Sequence, residues 1–360
     1  MLTFKRKLIL AKAQQSRIDS WIGACRVVYN LGLEIRIEAW KNLQQSVHKY
    51  ELMKQLKDLN DIPWIKDVPS STLQKVIEKL DFSYSNFFNG AGFPKWATRK
   101  RYKSIYLKQD TGVLRVVGNR VNTPKIGWLK MFKDAEIKGN LKLATIIKEP
   151  TGYFICITTD ATKSIQNNDE SQVVGLDMGV AKFYVDSNGE FCENPKHFKR
   201  YERQLRIENR SLARKKKGSN SWKKQAKRLA LFHHKIGNVR KDFLHKESTK
   251  IAKRYNTVYL EDLNVKAMSR SRLSKHILDC GWAAFRTMLE YKTTVVAINP
   301  RFTSQTCNDC GIKDAKSRIS QSKFVCTFCG VESNADENAA KNILGKGIAL
   351  TRQRGSVERA

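Results

Sequence analysis

The sequence predicts a multidomain chain of mixed α/β structure that also carries a small β-barrel and a zinc ribbon. Three observations predict it. Regular short strands follow an opening strand and helices, a strand and helix alternation starts at Val173, and two Cys-x-x-Cys pairs lie near the C-terminal end. At 360 residues the chain exceeds the size at which one hydrophobic core usually stops growing, so two or three packed domains are expected.

Residues 2–10 alternate enough to form a short strand. Residues 13–58 then place Ile18, Trp21, Ile22, Cys25, Val28 and Tyr29 at helical spacing. After Pro63 and Pro69 a second helical stretch puts Leu73, Val76, Ile77, Leu80 and Tyr84 on one face, and Gly90, Gly92 and Pro94 end it. From about Arg101 the period changes to two, with strands expected at 104–107, 114–117, 120–122, 144–148 and 153–159. Such a series suggests a barrel, which the first strand could close. The expected organisation is therefore a β-barrel of residues 1–10 and 97–160, an inserted helical domain of residues 11–96, and a polar linker at 161–171.

The second half opens on the buried strand VVGLD, Val173 to Asp177, followed by a hairpin whose turn is Ser187 to Gly189. A hairpin after a buried strand is typical of RNase H-like sheets. Residues 196–254 are expected to form helices broken at Gly218 to Ser221 and near Gly237. The strand NTVYLED, a helix from about Trp282 to Lys292 and the strand VVAIN complete the alternation. The second core is expected over 172–304 and 331–346, interrupted by the ribbon at 305–330. The basic stretch 347–360 is expected to be disordered or wrapped on RNA.

The formal charge is +33, from 67 Lys and Arg against 34 Asp and Glu. Self-repulsion on that scale is tolerated where a polyanion neutralises it, which points to nucleic acid. Residues 196–254 alone hold 21 Lys and Arg against four acids. The candidate phosphate contacts there are Lys199, Arg200, Arg203, Arg206, Arg210, Arg214, Lys215, Lys216, Lys223, Lys224, Lys227 and Arg228, although any one of them can equally be part of a solvated face. No apolar run reaches the roughly 18 residues of a spanning helix. MLTFKRKLIL lacks the long apolar core and the small-residue cleavage site of a secretory signal, so no membrane partner and a cytoplasmic location are expected.

Of eight cysteines, Cys25, Cys156, Cys192 and Cys280 are scattered, while Cys307, Cys310, Cys326 and Cys329 form two tight pairs, each followed by glycine. Two residues between ligands let one turn present both thiolates to a tetrahedral ion, so these four are the expected Zn2+ ligands.

Three acids stand out, and two of them, Asp177 and Glu261, sit where neutral residues would pack more cheaply. Asp177 ends or interrupts an apolar strand, Glu261 ends another, and Asp336 opens an Ala-rich amphipathic helix. Alone, Asp336 reads as a helix-terminal carboxylate answering the macrodipole. Together, three converging carboxylates suit hard Mg2+ or Mn2+ ions about 3.5–4 Å apart, which activate water and stabilise the leaving oxygen of a phosphodiester. Asp262 rivals Glu261, but strand residues alternate faces and only one of the two can point at the site. Asp186 and Glu337 read as turn and helix-surface acids.

The segments GLDMGV, LEDLNV, the two Cys pairs and NADENAAKNIL occur in the order of the TnpB (OrfB) proteins of bacterial insertion sequences, which this chain resembles. The likeness is strongest from Val173 to Leu344 and extends to CRVVYNLGLE, GFPKW and NTPKIGWLK. It implies an RNA-guided DNA endonuclease related to type V CRISPR effectors, with a RuvC-like nuclease domain on an RNase H-like fold. The family's catalytic triad falls on Asp177, Glu261 and Asp336, and its zinc ligands on the four paired cysteines. The implied partners are a non-coding guide RNA from the element's end and double-stranded target DNA beside a short adjacent motif. The protein would act as a monomer within a ribonucleoprotein. A wedge-like barrel and a helical recognition domain would grip the duplex, which is read by base pairing and held through its backbone.

Two departures accompany the likeness. The family helix after Gly281-Trp282 usually continues beyond Glu290-Tyr-Lys292, yet here Thr293 follows at once, which bears on how a lid over the site moves; the loop from Phe88 to Gly92 is also short. The aromatics of Phe93 to Trp96 and Arg99 to Tyr102 suit either stacking on unpaired bases or a core. A cleavage-deficient guided repressor is the first alternative, disfavoured because all three acids are present. A strand-transfer transposase is the second, disfavoured because nothing in the sequence suggests an end-binding helix-turn-helix.

Overall fold

The computed structural model describes residues 1–108, 113–161, 172–268, 270–271 and 274–357. The expected linker at 161–171 lies, but for its first residue, outside them. The chain divides into two compact units, Met1–Lys163 and Ser164–Ala360.

In the first unit β1 (Leu2–Ile9) leads into α1 (Lys12–Leu43). The helix buries Ile18, Trp21, Cys25, Val28 and Leu33 as one stripe, at the 3.6-residue period. That stripe shares a core with Leu73, Val76, Ile77 and Leu80 of α4 (Ser70–Phe88). The helical stretch expected over 13–58 is not continuous: Gln44 adopts φ 52° and closes α1, and α2 (Lys49–Gln55) and α3 (Pro63–Lys66) are short. Asp67 ties α1 down by accepting from the Trp21 indole at 2.6 Å and from Arg17.

Six further strands follow: β2 (Ser104–Lys108), β3 (Arg115–Val117), β4 (Arg120–Thr123), β5 (Gly127–Met131), β6 (Leu141–Glu149) and β7 (Gly152–Thr159). With β1 they pair in the order β2-β6-β7-β1-β5-β4-β3. β1 is shared, since Leu2 to Lys7 pair with β7 and Leu8 and Ile9 with β5. Among the described residues no ladder joins β2 to β3, so the hydrogen bonds leave the sheet open at that seam. The sequence reading lacked β5, whose alternation is only Leu129 and Met131 inward after a turn held by Lys125 at φ 60°.

The second unit is built on a five-stranded sheet of β8 (Val173–Met178), β9 (Lys182–Asp186), β10 (Phe191–Glu193), β11 (Thr257–Glu261) and β12 (Thr294–Ile298), ordered β10-β9-β8-β11-β12. β8, β11 and β12 run parallel, β9 runs antiparallel to β8, and β10 pairs antiparallel with β9 at the edge. Both faces of the central strands are covered, which is why they read as unbroken apolar runs. On one face Val174, Leu176, Val258 and Leu260 pack with Phe285 and Leu289 of α9 (Trp282–Glu290) and Ile251 of α6 (Asn220–Arg254). On the other, Tyr259 and Ile298 pack with Ile343 of α10 (Ala335–Val357).

α5 (His197–Ala213) and α6 form the basic stretch. The break expected at Gly218 to Ser221 is the loop between them, where the Ser219 side chain accepts from the Trp222 N–H and caps α6. The break expected near Gly237 is absent. α6 runs through it because Ile236, Leu244 and Ile251 keep the helix anchored, outweighing the roughly 1 kcal/mol that a mid-helix glycine costs. Short helices α7 (Val265–Met268) and α8 (Ser274–Cys280) precede α9. The tight turn into β12 is closed by Lys292, whose Nζ donates to Thr249 Oγ1 at 2.9 Å and to the His245 carbonyl at 3.1 Å.

The expectation of a disordered stretch after residue 346 is corrected within the described residues. α10 continues to Val357, because Ile348 packs beside Ile343 and Gly347 lies under the Tyr259 ring. Among the described residues no helix is long and apolar enough to cross a membrane.

Candidate active site

The β8–β11 pairing aligns Tyr259 with Gly175 and Leu260 with Leu176. With a period of two, Gly175 and Asp177 share one face, and Tyr259 and Glu261 share the same one. That face belongs to α10. A β-carbon on Gly175 would lie 2.3 Å from the Ala340 carbonyl oxygen, and one on Gly347 2.1 Å from the Tyr259 ring, so glycines let the helix lie directly on the strands. The first turn of α10 therefore arrives at the C-terminal ends of β8 and β11, bringing Asp336 to Asp177 and Glu261. Asn334 caps this end by accepting from the Asp336 N–H at 3.0 Å and the Glu337 N–H at 3.3 Å.

Asp177, Glu261 and Asp336 line one cleft of about 290 Å³, with Lys182, Thr303, Ser304, Arg318 and Gln321. Burial, and after it the Glu261 and Asp336 carboxylates, pushes the Asp177 carboxyl up to about 7, while Arg318 opposes the rise. Glu261 is also raised, chiefly by burial, against the Thr303 hydroxyl that donates to it and the charges of Lys346 and Arg318. Arg318 Nη2 lies 3.4 Å from Asp336 Oδ1.

Asp262 faces the other way and pairs with Arg286 of α9 at 2.7 Å, which removes it from the cleft. Asp186 closes its turn by accepting from the Asn188 and Glu190 N–H groups, each at 2.9 Å. Glu337 pairs with Lys341 along α10 at 2.8 Å. Arg318 escaped the sequence reading. It sits in a polar stretch between the Cys pairs, with neither periodicity nor a motif to mark it.

The four paired cysteines converge, their sulfurs all within 4.8 Å of one another. Among the described residues no other group of three or more His, Cys, Asp or Glu ligand atoms is so tight, so the three carboxylates are more widely spread than the thiols. Cys307 and Cys329 sulfurs are 3.7 Å apart, and those of Cys310 and Cys326 3.6 Å. A tetrahedron with metal–sulfur bonds of about 2.3 Å has edges of about 3.8 Å, so the set has the dimensions of one thiolate-bound ion. Backbone N–H groups of Cys329 and Phe328 pull the Cys326 thiol down to about 6, toward the thiolate. A small sheet, β13 (Lys323–Val325) with β14 (Glu332–Asn334), carries the second pair.

This thiol knuckle is wired to α10. Asn338 accepts from the Asn308 N–H at 2.9 Å and donates to the Thr306 carbonyl at 2.8 Å, while Asn342 donates to the carbonyls of Thr303 and Thr306 at 2.9 and 2.7 Å.

Of the twelve candidate phosphate contacts, all but Lys215, which is half-buried, are exposed on α5, α6 and the loop between them. Arg228 is engaged by the buried Glu208 at 2.9 Å, and Arg206 reaches Glu202 at 4.0 Å. In the first unit Tyr102 is core, Phe93 packs edge-on against Tyr84 and Phe87, and Trp96 is exposed.

The fold is similar to those of two solved structures. The solved Cas12f1-sgRNA-target DNA complex superposes with a TM-score of 0.59 at 14% identity, covering 93% of this chain and 83% of that one. The mini-RNA-guided endonuclease CRISPR-Cas_phi3 gives 0.52 at 10% identity, over 96% and 92%. Family models match residues 155–272 ("Probable transposase"), 282–343 ("Cas12f1-like, TNB domain") and 1–45 ("Helix-turn-helix domain"). "Putative RNA-guided DNA endonuclease InsQ" of Escherichia coli is 33% identical over 96% of this chain and 92% of its own length. The Cas12f1 endodeoxyribonuclease of Sulfoacidibacillus thermotolerans is 28% identical over 53% and 49%.

This chain belongs to the TnpB (OrfB) family of insertion-sequence proteins. The match at residues 1–45 is one that the sequence reading did not anticipate, and the structure there is one strand and the single long helix α1.

Proposed function

We propose that this chain is an RNA-guided, metal-dependent DNA endonuclease that makes double-strand breaks with one RuvC-type site, used on each strand in turn. The observation that carries the reading is the meeting of Asp177, Glu261 and Asp336 in one cleft, from two parallel strands and a helix start. The family relatives named as RNA-guided DNA endonucleases support it, as does the fold shared with a guide- and target-bound effector.

The donor set fits Mg2+ or Mn2+. Three carboxylates are hard oxygen ligands; burial raises the carboxyls of Asp177 and Glu261, and at Asp177 the neighbouring carboxylates add to the rise, a cost that a cation would relieve. When bound, such ions supply Lewis-acid activation of water and stabilise the leaving oxygen of a phosphodiester. Asp177, with its carboxyl near 7, would hold the cation as a carboxylate, having lost its proton. Thr303 orients Glu261, and Arg318 places a fixed positive charge beside the carboxylates, where it can pair with a phosphate oxygen. The four cysteines, at tetrahedral spacing, would hold a structural Zn2+.

The remaining organisation follows the same reading. Residues 1–10 and 97–160 act as the wedge-like barrel, 11–96 as the recognition domain, 161–171 as the linker, 172–304 and 331–346 as the nuclease domain, 305–330 as the ribbon and 347–360 as the C-terminal basic segment. A guide RNA and target DNA beside an adjacent motif are the partners of one protein copy, and the bacterial or archaeal cytoplasm is its place of action. An excess of 17 positive charges over residues 196–254 suits backbone contacts to them.

The test is cleavage of matched double-stranded DNA in Mg2+ by protein purified with its co-expressed RNA, beside Asp177→Ala. Cutting by the parent alone is expected. Equal cutting by both would refute the site. A strand-transfer reading draws on the family models described as transposase and helix-turn-helix, and joined products in the same reaction would favour it.

A further inference from the structure

Two exposed aromatic rings lie next to residues that line the carboxylate cleft, each with a lysine over its face. Phe302 has φ 65°, a left-handed backbone that a bulky side chain rarely adopts. Its carbonyl accepts the N–H groups of Gln305 and Thr306, at 3.2 and 3.1 Å, and thus makes the turn into the first Cys pair. Glycine or asparagine would make that turn with less strain. Packing does not account for the ring either, since Phe302 is 45% exposed. Lys313 Nζ sits 3.4 Å from the ring centroid, and Pro300, Thr303 and Ser304 on either side line the cleft. Phe191, on edge strand β10, is 51% exposed, with Lys182 Nζ 3.9 Å from its centroid. Lys182 itself lines the cleft.

We propose that Phe302 and Phe191 are base-stacking platforms that hold a single-stranded nucleic acid across the cleft, an inference that rests on the nuclease reading above. Only unpaired bases offer their faces to a ring, and stacking needs no sequence match. Lys313 and Lys182 restrict the rings and place ammonium groups where the strand's phosphates run. The strained backbone at Phe302 is then retained because it aims an aromatic at the substrate. Cutting a duplex would therefore require the strand to be unpaired at the cleft.

The test uses the full chain with its co-purified RNA, made cleavage-incompetent by Asp177→Ala, and a single-stranded oligodeoxynucleotide carrying one 2-aminopurine moved stepwise along it. The parent background should quench the fluorophore at one or two positions. In Phe302→Asn with Phe191→Thr that quenching should disappear and the single-strand Kd should rise about 5-fold or more. Asparagine tolerates the left-handed turn and threonine suits a strand, so both variants keep their fold, which circular dichroism checks. A steady-state assay in cleavage-competent protein gives a second measurement: abasic sites at the quenched positions should raise KM in the parent and add nothing in the double variant. Quenching that persists in the variant, or bound DNA that is nowhere quenched in the parent background, would overturn the platforms. Failure of the nuclease reading would instead appear as cutting that survives Asp177→Ala, which the quenching experiment does not depend on.

Discussion

Gly175 of β8 and Ala340 of α10 approach so closely that a β-carbon on the glycine would lie 2.3 Å from the alanine carbonyl oxygen. Gly175→Ala must push the helix off the sheet, because the opposing atom is backbone and cannot swing away. A loss of about 2–3 kcal/mol is expected, read by urea denaturation, together with loss of cutting as Asp336 leaves its partners. A variant with parental stability would show that the helix does not press on this strand.

Neighbouring acids at the end of β11 have opposite fates. Glu261→Gln should lower kcat by about 100-fold or more, since it removes one cleft carboxylate. Asp262→Asn, which loses only an exposed ion pair with Arg286, should cut within about 2-fold of the parent. Equal losses would mean that the alternation assigned to this strand end is wrong.

The Asp177 carboxyl, raised from 3.8 to about 7, binds its proton more tightly in the folded protein than in the unfolded chain. That contribution to stability is complete below pH 3.8 and is lost as pH rises through about 7. In buffer without added magnesium or manganese, Asp177→Asn should therefore melt about 5 °C above the parent at pH 8 and close to it at pH 4. Adding Mg2+ at pH 8 should raise the parent's Tm and leave the variant's unchanged. A variant that melts lower at pH 8 contradicts the sign of the effect.

Cys326→Ser should bring zinc per chain, measured by mass spectrometry, well below one equivalent, and should loosen residues 305–330 first. Zinc content equal to the parent's would dissociate the four thiols from metal binding.

Replacing Lys223, Lys224 and Lys227 of α6 by Gln should weaken RNA binding more at low salt than at high salt. Each lost phosphate contact should flatten the slope of log K against log salt by about 1. An unchanged slope would assign these lysines to a solvated face.

Much of the second unit was legible because its signals are local. An apolar strand ending in an acid, two Cys-x-x-Cys pairs and an Ala-rich helix opening on Asp336 each declare themselves within a few residues, and the structure brings the three acids to one cleft. Alternation allowed only one of Glu261 and Asp262 to face the site, and the structure turns Asp262 away to Arg286. What escaped depends on distant partners. β5 is a strand because β1 and β4 flank it, Arg318 matters because Asp336 stands opposite, and Gly237 fails to break α6 because residues on both sides are anchored. The last turns of α10 up to Val357 escaped for the same reason, since the Tyr259 ring and the Ile343 neighbourhood give Gly347 and Ile348 something to lie against.

α10 pivots on its contact with Gly175, and Asp336 stands four residues up the helix from Ala340, a lever arm of about 6 Å. A tilt of about 10° about that pivot swings the carboxylate by about 1 Å, several times the slack in a magnesium–oxygen bond. Small perturbations along this rod, including at the far glycine under Tyr259, would thus move Asp336 relative to Asp177 and Glu261 without unfolding the helix.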